Sequence, residues 1–284
     1  MLTFITTAWA GARPIYKPWH IVNVERMLRR HLTIPFRHVC VTDDVDGMRA
    51  EGIEAVPLWS VTTNLPPQTK RRYLNNWLRL GLFHEGLMRL VGIMRHDDDV
   101  LVSIDADIVI RRNIDHLFST LHDFKIMSLK ERCHLQGGLF MVRPGAVDPN
   151  PWRVLHDDAA TVEKACRFGG SDQALLSELF YDRTLSGEIP VWNEDDGLAI
   201  NAQHDCLDWS LFFRTGHRKC WDVRMPEARE YYAQSGRDIE TEAREPDILP
   251  PIISGRDHSQ QGKRRSGAVM GEIRKFRTLY IDRQ

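Results

Sequence analysis

The chain has 284 residues and a formal net charge of −1, with 42% hydrophobic and 27% charged residues. These fractions are typical of a globular protein, and a near-zero charge gives no bulk electrostatic reason to expect binding to nucleic acid or membrane. No apolar run reaches the roughly 18 residues that a membrane-spanning helix needs. The five cysteines are scattered and show no zinc-binding spacing. We therefore expect a cytoplasmic protein without stable membrane insertion.

The first hundred residues alternate between predicted strands and predicted helices. Apolar patterning predicts strands at 2–6, 37–41, 53–58 and from about 100 to 104, with helices at 18–32 and 68–83. This alternation indicates an α/β domain with a largely parallel sheet. After residue 107 the pattern is mixed. It predicts strands at 124–129, 138–143 and 211–214 and helices at 151–168 and 171–181.

Two carboxylates, Asp105 and Asp107, follow the buried strand predicted at 100–104. In β geometry, residues i and i+2 point to the same side, and ligands of an open α/β sheet bind outside the carboxyl ends of its strands. Two converging carboxylates repel each other unless a cation joins them, and Mg²⁺ and Mn²⁺ prefer oxygen ligands. The pair therefore predicts a metal–diphosphate site. The alternative is a strand end at which both side chains cap turns.

The Asp-x-Asp spacing alone carries little weight. Chance gives about two such pairs in a chain of this composition, and this chain has three. Asp44/Asp46 is interpreted as part of a polar turn, and Asp97/Asp99 as part of a solvated loop. Only Asp105/Asp107 is embedded in apolar sequence, and this context makes that pair informative.

Four sequence blocks, in order, resemble the GT-A nucleotide-sugar glycosyltransferases, especially family 8, with glycogenin and the bacterial lipopolysaccharide galactosyltransferases, and its phage and bacterial relatives. The blocks are VCVTDD; WLRLGLF followed by LVSIDADIVIRRNIDHLF; QGGLFMVRPG followed by GGSDQALLSELF; and FFRTGHRKCWD. The resemblance covers about residues 2–222. It implies an α/β, Rossmann-like GT-A fold whose mixed, mostly parallel sheet is flanked by helices. The implied domain is 1–225, with a C-terminal extension at 226–284.

The resemblance also implies where the nucleotide of the donor lies. Thr6, Thr7, Trp9 and Tyr16 would border the base and the ribose at the end of the first strand. Arg79 matches a basic residue on the helix before the Asp-x-Asp strand, and this residue contacts the donor in the family. For Thr6 and Thr7 the alternative is ordinary strand-end residues, and for Arg79 it is a solvated helix face.

The third block implies contacts with the donor sugar. Gln136 and Gly138 match a segment that usually reads Asn-x-Gly in the family. The glycine lets the backbone approach the sugar, and the Gln amide can bond hydroxyls. Asp172 and Gln173 match the Asp-Gln pair that lies against the sugar, where we expect the catalytic groups. Asp172 could also be a helix cap, and Trp192 is either an acceptor-stacking surface or a core residue.

The fourth block departs from the family at one metal ligand. Asp105 and Asp107 match the family's Asp-x-Asp pair, which implies that Asp105 faces the ribose or the sugar, that Asp107 faces the metal, and that both lie near the diphosphate as metal ligands. Lys219 matches a lysine that meets the diphosphate. Phe213, however, stands where the family has a metal-binding histidine. We predict that His217, four residues later, replaces that histidine and favours Mn²⁺ over Mg²⁺. The alternative is that His217 contacts a phosphate or the acceptor and that water completes the metal site.

The resemblance therefore predicts a metal-dependent glycosyltransferase that uses Mn²⁺ or Mg²⁺ and a nucleoside-diphosphate sugar, with UDP as the family default and retention of anomeric configuration. The acceptor could be a glycan, a protein or a modified DNA base. One alternative is a non-catalytic nucleotide-sugar-binding protein of the same fold. Another is a sugar nucleotidylyltransferase, which normally has a glycine-rich basic loop after the first strand. The basic tail after Gly262 could contact phosphates or an anionic membrane surface, or form a solvated terminal helix.

Overall fold

The structure is a computed structural model that describes residues 1–8, 17–59, 76–106, 108–110, 112–128, 135–167, 171–200 and 211–213. Ten strands are assigned within these residues. They are β1 Leu2–Ala8, β2 Phe36–Thr42, β3 Ala55–Pro57, β4 Val100–Ile104, β5 Ile108–Ile110, β6 Phe124–Met127, β7 Gln136–Val142, β8 Val191–Trp192, β9 Leu198–Ile200 and β10 Leu211–Phe213. Each strand predicted from apolar runs is therefore confirmed, with boundaries that differ by a few residues.

Seven of the described strands form the main sheet, in the order β3-β2-β1-β4-β7-β6-β8. Strands β3, β2, β1 and β4 run parallel, whereas β7 is antiparallel to both β4 and β6. The sheet is mixed and mostly parallel, as predicted. Strands β5, β10 and β9 form a separate small sheet, in which Phe213 is paired with Ile108.

Helices cover both faces of the main sheet. Those in the described residues are α1 Pro18–His31, α2 Val45–Ala50, α3 Glu85–Leu90, α4 Asp115–Phe118, α5 Pro151–Asp157, α6 Ala159–Arg167 and α7 Asp172–Leu185, with 3₁₀ turns at Arg79–Phe83 and Glu194–Asp196. Phe4 of β1 packs with Met27 of α1 on one face. Ile5 lies in the core on the opposite face, together with Phe180 of α7. The alternating strand residues are thus buried on both sides.

Two helix predictions need correction. The helix predicted at 151–168 is two helices, because Asp158 ends the first one and its carboxylate accepts bonds from the Thr161 N–H (3.0 Å) and hydroxyl (2.7 Å) at the start of the second. The end of the helix predicted at 68–83 is a buried 3₁₀ turn, and the first half of that prediction, 68–75, lies outside the described residues. No helix in the described part of the chain is long and apolar enough to cross a membrane.

Asp97 and Asp99 do not share one environment, so the solvated-loop interpretation is wrong for the second of them. Asp97 is exposed and pairs with Arg89. Asp99 is fully buried and accepts bonds from the backbone N–H groups of Arg95 (2.7 Å) and His96 (2.9 Å) and from the terminal ammonium group of Met1 (3.0 Å). Three donors therefore satisfy this carboxylate just before β4 begins.

Candidate active site at the end of β4

The end of β4 lies beside the beginning of β7, because these two strands are antiparallel neighbours. Ile104 is paired with Leu139, and the Asp105 N–H donates to the Gly138 carbonyl at 3.0 Å. This pairing places the Asp105 carboxylate next to the Gln136–Gly138 segment. Two of the predicted sequence blocks therefore meet at one edge of the sheet.

Arg79 joins these strands to helix α7. It is the first residue of the 3₁₀ turn and is only 8% exposed. Its guanidinium donates to Asp105 Oδ1 at 2.8 Å and to the Gly137 carbonyl, and its Nε lies 3.1 Å from Asp172 Oδ2. Arg79 is therefore a buried cation shared by two carboxylates. Such pairing offsets the cost of burying its charge, and the alternative of a solvated helix face is wrong.

Asp172 is fully buried at the first position of α7. Neither of its oxygens is in hydrogen-bond geometry with a described group, although Arg79 is within ion-pair distance. Burial raises the pKa of Asp172 to about 6. The Arg79 charge opposes that rise, the Asp105 charge adds to it, and the nearby backbone N–H groups of Gln173 and Asp172, which lie outside good hydrogen-bond geometry, oppose it to a smaller extent. Ser171 takes the cap position, and no side-chain cap bond is present there. Asp172 is thus a buried carboxylate with few donors, not the helix cap.

The backbone at Gly137 lies directly against the first turn of α7. A Cβ atom at this position would lie 2.6 Å from Asp172 Oδ2 and 3.1 Å from Gln173 Cγ, which is closer than normal packing allows. Sequence reasoning assigned the glycines here to the approach of a sugar. The structure adds that Gly137 is needed for the approach of the Asp172 carboxylate.

Gln136 lies at the same edge and is 7% exposed. Its Nε2 has no hydrogen-bond partner within the described part of the chain. A buried amide nitrogen without a partner costs free energy, so this group is a candidate donor to a ligand hydroxyl. Gln173, in the first turn of α7, is half-buried beside Gly137.

Thr6 and Thr7 differ in what surrounds them. Thr6 is fully buried, and its hydroxyl is within 2.7 Å of His38 Nε2. The other ring nitrogen of His38 lies 3.5 Å from a Glu25 carboxylate oxygen. Thr7, the next residue of β1, is half-buried. The Thr6 hydroxyl is therefore engaged inside the protein, which fits the alternative of an ordinary strand-end residue for that side chain.

Trp192 is a core residue and not an acceptor-stacking surface. It has no exposed area, its Nε1 donates to the Leu117 carbonyl at 3.0 Å, and its ring packs edge-on against Phe118. The sequence left both interpretations open, because a tryptophan beside an acidic turn fits either one. The structure shows that Trp192 is a core residue.

Phe213 is brought close to the Asp-x-Asp segment, although the two are about a hundred residues apart in sequence. Its pairing with Ile108 places its backbone beside the residue that follows Asp107. The metal-binding position that the resemblance assigns to residue 213 stays a prediction. Trp9, Tyr16, Asp107, His217 and Lys219 lie outside the described residues. Within the described ones, no group of three or more His, Cys, Asp or Glu side chains could hold a metal ion.

One residue at this edge was not singled out from the sequence. Ser177 of α7 contacts both the residue before β7 and the first turn of its own helix. No local signal marks it, because a serine in the middle of a helix gains significance only when its contact with the neighbouring strand is known.

No family model and no curated protein matches the chain. Solved structures do. The galactosyltransferase LgtC, in complex with donor and acceptor sugar analogues, matches with a TM-score of 0.51 and 14% identity over 82% of this chain and 95% of LgtC. An active-site mutant of LgtC gives a TM-score of 0.48 and 12% identity over the same shares. The glycosyltransferase GlyE of Streptococcus pneumoniae TIGR4 gives 0.48 and 9% identity over 85% of this chain and 62% of GlyE. The chain therefore has the fold of LgtC, and the predicted GT-A glycosyltransferase fold is confirmed.

Proposed function

We propose that this protein is a glycosyltransferase that moves a sugar from a nucleoside-diphosphate sugar to a hydroxyl acceptor. The observation that carries the proposal is the buried cluster of Arg79, Asp105 and Asp172 at the carboxyl end of β4. This is where open α/β sheets bind ligands. The cluster is built on the fold of LgtC, which was solved with donor and acceptor sugar analogues.

The departing diphosphate is the first group that needs stabilisation. Negative charge accumulates on its β-phosphate as the bond to the anomeric carbon breaks, and fixed positive groups lower that barrier. Arg79 is held by Asp105 and by the Gly137 carbonyl, so its charge needs little rearrangement during the reaction. We assign Arg79 and Lys219 to this role, with UDP as the expected nucleotide.

The donor sugar is the second group. We assign Gln136 to a sugar hydroxyl, because its buried Nε2 has no described partner. We assign Asp172 and Gln173 to the reacting face of the sugar, where a carboxylate stabilises the positive charge that develops at the anomeric carbon. Retention of configuration follows from the family resemblance and is part of the proposal.

We assign a divalent cation to this edge as part of the proposal. Asp105 is at the strand end with its side chain 20% exposed, and Arg79 donates to its Oδ1. Asp105, Asp107 and His217 would hold Mn²⁺ or Mg²⁺. When bound, the cation neutralises diphosphate charge.

Substitution of the family histidine by Phe213 favours one competing function, a nucleotide-sugar-binding protein without turnover. The phenylalanine side chain has no atom that can ligate a metal ion, and its backbone lies beside the residue that follows Asp107. The two functions differ in turnover and not in binding. The nucleotidylyltransferase alternative is not favoured, because the loop after β1 carries few glycines and basic residues.

A donor panel tests the proposal. UDP-glucose, UDP-galactose, UDP-N-acetylglucosamine and GDP-mannose are incubated with the full chain and Mn²⁺ or Mg²⁺, and release of the nucleoside diphosphate is followed. We expect release from at least one donor and loss of release with a chelator. Asp107→Ala should weaken Mn²⁺-assisted UDP binding in calorimetry. Binding of a donor without any release would favour the non-catalytic protein, and the absence of both would contradict the proposal.

A further inference from the structure

The beginning of β7 is not held by regular pairing with β6. Ile126 is paired with Phe140, but the next residue of β6, Met127, is paired with Gln136. The three intervening residues of β7 therefore lie outside that ladder, and they include Gly137 and Gly138. Irregular pairing of this kind is common next to active sites, where it re-aims side chains. Arg79 links Gly137 to Asp172 at the start of α7, and a second connection lies at the start of the segment.

Ser177 supplies such a connection. Its hydroxyl accepts a bond from the N–H of Leu135 at 2.9 Å and donates to the Gln173 carbonyl at 2.6 Å. Leu135 is fully buried and directly precedes Gln136. A helical serine often bonds the carbonyl four residues before it. Here the same oxygen also satisfies a buried N–H from another element.

We propose that Ser177 is a positioning residue for the proposed transfer reaction. One hydroxyl group joins the start of the Gln136–Gly138 segment to the turn that carries Asp172 and Gln173. It thereby sets the separation between Gln136 and the Asp172–Gln173 pair, the residues assigned to the donor sugar. This inference rests on the proposed function, because those groups matter only if a sugar lies between them.

The energetics support a positioning role. Without the hydroxyl, the buried Leu135 N–H has no acceptor, and an unpaired buried donor drives local rearrangement. The close contact between Gly137 and Asp172 leaves little room for such a shift. A displacement of about 1 Å in a reactive geometry can cost up to about a hundredfold in rate.

The test compares Ser177→Ala with Ser177→Thr and Ser186→Ala in the full chain. Ser177→Thr keeps the hydroxyl. Ser186→Ala is a matched control, because the Ser186 hydroxyl also donates to a backbone carbonyl, that of Arg183 at 3.0 Å, at the far exposed end of the same helix. Turnover is measured with the best donor of the panel, well below the melting temperature of each variant.

We expect Ser177→Ala to lower kcat about tenfold while the Kd for UDP changes less than twofold, since UDP has no sugar to misalign. Ser177→Thr should restore most of the rate, and Ser186→Ala should match the wild type. A general loss of stability would instead change UDP binding and all rates together. An unchanged kcat in Ser177→Ala would overturn the proposal.

Amide hydrogen exchange separates this inference from the proposed function. Faster exchange at residues 135–139 and at the first turn of α7, with other segments unchanged, is expected in Ser177→Ala. If the wild type releases no nucleotide from any donor, the proposed function fails, and exchange then decides whether Ser177 fixes this edge. Unchanged exchange there would refute the positioning role whatever the activity.

Discussion

A buried aspartate lies near each end of β4, and the two carboxylates have opposite hydrogen-bond environments. Asp99, just before the strand, receives three donors, and its pKa is lowered because the N–H groups and the terminal ammonium outweigh the effect of burial. Asp172, packed at the other end, receives an ion pair with Arg79 but no hydrogen bond in good geometry, and burial raises its pKa to about 6.

Asp99 is thus a carboxylate that stabilises the fold, whereas Asp172 is one that the fold tolerates. A buried charge with several donors contributes to stability, whereas one without them costs free energy. Strongly raised carboxylate pKa values cluster at functional sites. The arrangement around Asp172 is therefore understandable as preparation for a ligand, and the arrangement around Asp99 needs no ligand to explain it.

The largest expected effect concerns turnover. Asp172→Asn keeps the size of the side chain but removes the carboxylate from the assigned sugar site. We expect turnover to fall by about a hundredfold or more, on the scale of losing a positioned catalytic group. UDP affinity should stay within a few-fold, as measured by calorimetry. If the variant turns over donor at the wild-type rate, Asp172 has no part in the reaction and the contrast with Asp99 is purely structural.

The sequence predicts some features of these two sites and not others, for physical reasons. Apolar runs located the strands. Every residue of Val100–Ile104 is buried, and burial on both faces leaves a continuous apolar signature. An apolar run also located the short Leu211–Phe213 strand. The family resemblance identified Arg79, Asp105 and Asp172, which the structure brings together. Their roles, like those of Gln136 and Gln173, stay predictions.

What the sequence did not reveal depends on contacts between distant segments. Asp99 looks solvated in sequence because two aspartates precede it, yet its partner Met1 is 98 residues away. Local patterning carries no information about such a contact. The same holds for Ser177 and for Trp192, whose burial is decided by Leu117 and Phe118.

The second expected effect is on stability and its pH dependence. The pKa of Asp172 is about 6 in the folded protein against 3.8 for an unperturbed aspartate, so the folded state binds more protons between these values. Stability therefore falls as pH rises from about 4 to 6, by at most about 3 kcal/mol at 1.36 kcal/mol per pKa unit. Asp172→Asn should be more stable than the wild type at pH 7, and this advantage should shrink toward pH 4. Urea unfolding at both pH values measures it. An advantage that is equal at both pH values would argue against a strained carboxylate.

The smallest expected effect concerns Asp99, and its pH dependence has the opposite sign. Asp99→Ala removes a charged acceptor from two backbone N–H groups and an ammonium group, which should lower the free energy of unfolding by about 2 kcal/mol at pH 7. Because the folded pKa lies below 3.8, the wild-type contribution is present above that value and is lost as pH falls through the folded pKa. The variant and the wild type should therefore converge in strong acid.

Asp99 and Asp105 are six residues apart, roughly 20 Å along an extended strand, so kcat of Asp99→Ala should be unchanged at temperatures where the variant is folded. A drop in kcat without loss of stability would show that the two ends of β4 are coupled, and the distinction between a structural and a functional aspartate would then not hold.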